Sequence, residues 1–213
     1  MGEKRQARQG ADVLLQEEPL RFQTRKQVGL LGGNFNPVHL AHLVMADQVQ
    51  NQLGLDKVYL MPTYLPPHVD EKKTISSEHR LAMLELAVAD NPCLDIEPIE
   101  LIRKGKSYTY DTMKALKEAN PDTDYYFIIG GDMVEYLPKW HRIDDLLHLV
   151  QFVGIRRPNY PTESTYPIIW VDVPQMAISS TLIRQKVKSG CSTRYLLPEN
   201  VINYIQEKGL YQD

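Results

Sequence analysis

The 213-residue chain has only two cysteines, Cys93 and Cys191, far apart in sequence. That rules out a disulfide framework and a cysteine-based zinc site, and it suits a reducing compartment. No apolar run is long enough to span a bilayer. Met1 to Lys26 mixes charge with glutamine and lacks an apolar centre, so no secretory signal is expected. Gln6 stands where a myristoylation signal needs Ser or Thr. A formal net charge of -3 gives no reason to expect a surface for polyanions, so nucleic acid is not an expected partner. There is no internal repeat, low-complexity tract or linker. Several chemical signatures are missing too. The chain has no Gly-x-Ser-x-Gly, no His-Glu-x-x-His, no P-loop with Gly-Lys-Ser/Thr and no Gly-x-Gly-x-x-Gly. Together these absences leave an enzyme or binding protein of the cytoplasm, with no membrane partner.

What is present is an alternation of strand and helix signals. Strands are expected at Val28–Leu31, Lys57–Met61, Leu94–Ile96, Tyr125–Ile129, Leu149–Ile155 and Ile168–Val171. Helices are expected from Pro37 to Gly54, from Ser76 or Ser77 to Asn91, from Tyr110 to Ala119, from Ser180 to Gly190 and after Pro198. These lengths suit right-handed crossovers. The expected fold is α/β, a Rossmann-like doubly wound parallel sheet in a single domain over residues 26–213. An N-terminal extension, residues 1–25, precedes it and is expected to be loosely ordered, with a short helical piece near Ala11 to Glu18.

The most informative stretch runs from Gly32 to His42, Gly-Gly-Asn-Phe-Asn-Pro-Val-His-Leu-Ala-His. It joins the first strand to the first helix. Gly32 and Gly33 permit a tight turn and close approach of a ligand to the backbone. Asn36 is expected to cap the helix, with Pro37 in its first turn. The helix N-terminus offers N–H groups and the positive end of its dipole. His39 and His42, three residues apart, fall on one face, where their rings can hydrogen-bond phosphate oxygens. The same residues also fit a plain strand–turn–helix corner with solvated histidines, or a pair of metal-binding histidines.

A second candidate anion site is Ile178-Ser-Ser-Thr-Leu-Ile-Arg184. Hydroxyls at a helix start are commonly only caps. With Arg184 one turn in, Ser179, Ser180 and Thr181 can also hold a polyphosphate. Gly130-Gly-Asp132 ends a buried strand, where it can serve as a turn or line a site. Trp140 sits among the polar residues Lys139, His141 and Arg142, which argues against simple burial. Ser107 to Thr112 reads as a helix start with Thr109 as its cap.

The two main motifs resemble the G-G-x-F-x-P-x-H-x-x-H and I-S-S-T-x-I-R signatures of the nucleotidyltransferase superfamily. Within it the resemblance is to the bacterial nicotinate-nucleotide adenylyltransferases, and it covers Lys26 to the C-terminus. The resemblance implies transfer of AMP from ATP to nicotinic acid mononucleotide, giving deamido-NAD and pyrophosphate, with Mg2+ accompanying ATP. It places Gly32, Gly33, Phe35, His39, His42, Gly130, Asp132, Ser179, Ser180, Thr181 and Arg184 around ATP, with His39, His42 and Arg184 as the catalytic groups. It places Asn34, Thr109, Trp140, His141 and Lys72 around the mononucleotide, with Trp140 stacked on the pyridine ring. His141 stands where the family has Tyr. In Pro66-Pro-His-Val69, Val69 stands where it has Lys, with Lys72 and Lys73 as nearby substitutes. No resident metal site is implied, and a homo-oligomer is compatible with the sequence. The alternatives are a phosphopantetheine adenylyltransferase and a non-catalytic nucleotide sensor on the same fold.

Overall fold

The computed structural model describes residues 25–66, 74–156 and 163–212. The expected N-terminal extension with its helical piece, and Pro67 to Lys73 with Lys72, lie outside the described residues. Among the described residues, no helix is long and apolar enough to cross a membrane.

Six parallel strands form one sheet: β1 (Lys26–Gly33), β2 (Lys57–Pro62), β3 (Leu94–Ile96), β4 (Thr123–Gly130), β5 (Val150–Ile155) and β6 (Ile168–Val171). Their order, β3-β2-β1-β4-β5-β6, is the doubly wound order. Each central strand is apolar on both faces, because helices cover both sides. In β4, Tyr125, Phe127 and Ile129 enter one apolar cluster while Ile128 enters the other. The first cluster packs against α4 (Thr109–Ala119) and α6 (Ile143–Leu146), through Met113, Leu116 and Leu146. The second packs against α1 (Leu40–Leu53), α2 (Ser77–Val88), α7 (Ser180–Lys188) and α8 (Glu199–Glu207), through Val49, Met83, Ile183 and Val201.

The winding direction reverses between β1 and β4, and the register shows how a crevice opens there. β1 pairs with β4 only as far as Leu31↔Ile128, but with β2 as far as Gly33↔Pro62. The last two residues of β1 therefore part from β4. Ligands of such sheets bind at this point.

All six expected strands and all five expected helices are present, with small shifts at their ends. Four short helical pieces went unread: α3 (Ile99–Arg103), α5 (Gly131–Val134), a 3-10 turn (Leu137–Lys139) and α6. Each has five residues or fewer, too short for a periodic apolar pattern.

Two caps differ from the expectation. His39, extended at φ -148, is the N-cap of α1, so Asn36 and Pro37 precede the helix. Asn36 is drawn away by distant partners. Arg184 Nη1 donates to its carbonyl at 2.7 Å, and the Tyr211 hydroxyl donates to its Oδ1 at 2.8 Å. Likewise Tyr108, not Thr109, is the N-cap of α4, and Thr109 is already helical.

Candidate active site

The strand ends meet in two adjoining hollows. One, of about 420 Å³, is lined among others by Gly32, Gly33, Asn34, His42, Thr109, Gly130, Trp140 and His141. The other, of about 780 Å³, is lined by His39, His42, Met45, Ile178, Ser179 and Ser180 among others. His42 and Met45 belong to both. The first hollow thus gathers most residues expected around a mononucleotide, but also Gly32, Gly33 and Gly130, expected around ATP; the second gathers most of those expected around a polyphosphate, and His42 stands between them. Asp132, on the first turn of α5, and Thr181 and Arg184, on α7, adjoin the walls but do not line either hollow.

The glycines have a packing reason that the sequence did not disclose. A Cβ on Gly33 would meet three ring carbons of Phe35 at 3.0 to 3.3 Å. Phe35 folds back because its own backbone is left-handed, at φ 46. Its ring is buried and makes an edge contact with His42, centroids 4.9 Å apart. His42 in turn stacks on His39 at 3.6 Å, with 18° between the planes. Gly33, Phe35, His42 and His39 therefore form one packed column beneath the crevice.

Hydrogen bonding settles the His42 tautomer. The His39 N–H donates to His42 Nδ1 at 3.2 Å. Nδ1 carries no proton in that contact, so the proton is on Nε2 and His42 presents an N–H donor. Burial, then the neighbouring His39, holds the His42 imidazole well below its ordinary pKa of 6.5. Burial likewise lowers His39 to about 4. Both rings are neutral at pH 7.

The amides at the start of α1 are less available than the sequence suggested. Besides the His39 N–H, the Leu40 N–H is taken by the Leu196 carbonyl at 3.0 Å. The start of α7 is different. Ser179 Oγ caps the helix by accepting from the Leu182 N–H at 3.2 Å. Ser180 Oγ donates to the Pro37 carbonyl at 2.8 Å, which joins α7 to the β1–α1 turn. The Ser180 and Thr181 N–H groups precede any intrahelical acceptor and remain as anion donors. Arg184, half-buried, donates through Nη2 to Thr181 Oγ1 at 3.2 Å.

Trp140 is partly core after all. Its ring stands edge-on to Phe127 and Phe152 at 5.8 and 5.9 Å, yet it also lines the smaller hollow. The polar neighbours in sequence misled because Leu137 alone supplies the burial of the 3-10 turn. His141 lies against Tyr108 at 4.7 Å and lines the same hollow.

Two charged residues of the site were missed. Arg80 is only 2 % exposed, and its Nη1 donates to the Asn34 carbonyl, Asn34 Oδ1 and the Thr63 carbonyl. It ties the β1–α1 turn to the end of β2. Glu100 is buried behind the Tyr108–Thr109 wall, where Thr112 Oγ1 donates to its Oε1 at 2.9 Å. Burial pushes its carboxyl pKa upward. Nothing local in the sequence marks either: Arg80 lies on an expected helix and Glu100 on one too short to be read.

The histidine environment carries a stability prediction. Folded His39 titrates near 4, the unfolded residue near 6.5. Between those values the unfolded chain binds more protons. The stabilisation is therefore complete above the unfolded pKa and is lost as pH falls toward the folded one. For His39 this interval amounts to about 3 kcal/mol. Urea unfolding at pH 7 and pH 4.5 should show wild type losing about 2 kcal/mol more than His39→Asn. Parallel losses in the two proteins would reject the buried neutral imidazole.

Comparison with known proteins agrees with this arrangement. Residues 30–186 match the model of the family described as cytidylyltransferase-like. A Streptococcus mutans protein bearing the name "probable nicotinate-nucleotide adenylyltransferase" is 62% identical over 196 residues, covering 92% of this chain and 93% of its own. A Streptococcus pneumoniae protein of the same name is 62% identical over 195 residues, with the same coverage. Among solved structures, the chain is similar to Plasmodium falciparum nicotinic acid mononucleotide adenylyltransferase complexed with NaAD. The TM-score is 0.73 at 19% identity, covering 88% of this chain and 98% of that one, which is a likeness of fold. The chain belongs to the cytidylyltransferase-like family and, within it, to the nicotinate-nucleotide adenylyltransferases.

Proposed function

We propose that this protein transfers AMP from ATP to nicotinic acid mononucleotide, releasing pyrophosphate and forming deamido-NAD for NAD biosynthesis. The observation that carries the reading is the pair of adjoining hollows meeting at His42. A mononucleotide in the smaller hollow and a triphosphate in the larger one bring the attacking phosphate oxygen to the α-phosphorus. The substrate's own oxygen forms the new P–O bond, and pyrophosphate leaves as the α–β bond breaks. No protein nucleophile is required. The chain contributes orientation and hydrogen-bond donors against the charge of transfer.

The residue roles rest on the family resemblance, supported for those that line the hollows by their placement. The His42 Nε2–H donates at the junction, to an α-phosphate oxygen. The N-terminus of α7 and Arg184 hold the β- and γ-phosphates. Gly130 and Asp132 are assigned to ATP by the family resemblance, with Asp132 near the ribose and Gly130 on the wall of the smaller hollow. Trp140, Thr109, His141 and Asn34 line the hollow assigned to the nicotinate half, and Lys72, outside the described residues, is assigned there by the family resemblance alone. Among the described residues no group of three or more His, Cys, Asp or Glu could hold a metal. Mg2+ enters with ATP as the MgATP substrate, held by phosphate oxygens and water.

The test is pyrophosphate release with MgATP and, in parallel, nicotinic acid mononucleotide, its amide and phosphopantetheine. Strong preference for the acid is expected. Turnover with phosphopantetheine alone would overturn the substrate, and ATP binding without any turnover would favour a nucleotide sensor. A second check uses Trp140→Leu, which keeps an apolar side chain against Phe127 and Phe152. Loss of ring stacking, worth about 1–3 kcal/mol per stacked base, should raise KM for the mononucleotide about tenfold or more. A rise confined to ATP would reject the stacking role.

A further inference from the structure

The turn from Asn34 to Pro37 is held from three directions. Arg80 holds Asn34, and α7 holds Asn36 and Pro37 through Arg184 and Ser180. The third hold comes from the C-terminal end of the chain. The Tyr211 hydroxyl donates to Asn36 Oδ1 at 2.8 Å, across 175 residues of sequence. Asn36 is only 4 % exposed, so the contact is made away from water, where an unmatched amide oxygen is costly.

The tail is shaped to deliver that hydroxyl. Gly209, at φ 60, turns the chain back after α8. The Leu210 N–H donates to the Ile205 carbonyl at 3.0 Å, and its side chain is buried. Tyr211 itself stands at φ 64, a left-handed conformation unfavourable for a side chain of this size. The surroundings thus over-determine this residue's backbone. The positive charges of Arg184 and Arg80 favour ionisation of the hydroxyl, yet burial outweighs them and keeps it protonated, a donor throughout the neutral range.

We propose that Tyr211 is a positioning residue for the nucleotide triphosphate. It fixes the side chain of Asn36 while Arg184 grips the carbonyl of the same residue, so the guanidinium is set where the β- and γ-phosphates bind. The inference rests on the reading of α7 as the triphosphate site.

Tyr211→Phe removes the hydroxyl alone. Loss of one buried hydrogen bond predicts about five- to tenfold weaker binding of a non-hydrolysable ATP analogue by calorimetry, and a matching rise in KM for ATP. KM for the mononucleotide should stay within about twofold, since Asn34 keeps its own hold from Arg80. Tyr204→Phe is the control. Its hydroxyl bonds His79 Nδ1 at 2.9 Å on the α2–α8 contact, so it should lower Tm similarly and leave ATP binding unchanged. In a double-mutant cycle with Arg184→Lys the effects on ATP affinity should be non-additive. Unchanged ATP affinity in Tyr211→Phe, equal shifts for both substrates, or strict additivity would each overturn the proposal. The calorimetric arm needs no acceptor, so failure of wild-type turnover with the mononucleotide would count against the proposed substrate and leave this measurement intact.

Discussion

His42→Asn should lower kcat by about 100- to 1,000-fold and lose less folding stability than His42→Ala. The two ring nitrogens of His42 do different things, and this variant separates them. Nδ1 accepts the His39 N–H and so helps fix the start of α1. An Asn Oδ1 reaches nearly the same place and can accept that hydrogen bond. Nothing in Asn reaches as far as Nε2, so the donor at the junction of the two hollows is lost. A donor that acts on charge developing during transfer affects kcat more than either KM. His42→Ala should match it in kcat but unfold more easily, because the buried His39 N–H loses its acceptor, at a cost of about 1–3 kcal/mol. Single-turnover rates and urea midpoints on the three proteins check both halves. Near-normal turnover in His42→Asn would reject the Nε2 role. Equal stability in the Asn and Ala variants would reject the Nδ1 role.

How much of this was legible in sequence depends on the range of each interaction. Strand apolarity and helix period are local, so the six strands and the five longer helices could be read directly. The carboxyl-edge placement of Gly32–Gly33, Gly130 and Ser179–Thr181 followed from their position after strands or before helices. The cap of α1 was misread because competition decided it. Asn36 has a good capping side chain, but Tyr211 from the far end of the chain takes its Oδ1. A local capping rule has no access to a partner so distant. Arg80 and Glu100 were invisible for a related reason. Burial of a charge depends on backbone carbonyls and hydroxyls that tertiary packing brings together; α2 reads as a helix without Arg80, and α3, which carries Glu100, is too short to be read at all. Trp140 was half legible. Its role as a cavity wall fitted its polar neighbours, whereas its contacts with Phe127 and Phe152 come from two other strands.

The column under the crevice leads to the other large effect. Gly33→Ala should reduce kcat/KM by about tenfold and destabilise the fold by about 1–3 kcal/mol. The new methyl would sit 3.0 Å from a Phe35 ring carbon. Phe35 is 2 % exposed and boxed in, so its ring cannot simply swing into water. The displacement passes to His42, which touches the ring edge, and from there to the Nε2–H at the junction. The ring must give by a few tenths of an ångström, and a displacement of that size passed to a catalytic group costs rate. Gly32→Ala gives a milder comparison, since its Cβ would meet a single close atom, Phe127 Cζ at 3.3 Å. The decisive variant is Gly33→Ala combined with Phe35→Leu. A smaller side chain at 35 makes room for the methyl, so the double variant should regain a large part of the stability lost by Gly33→Ala. Its activity should rise above that of the single glycine variant as His42 returns toward its place. If Gly33→Ala is inactive but the double variant regains stability without any activity, then the backbone at Gly33 itself approaches the substrate, and the packing column is not what the second glycine serves.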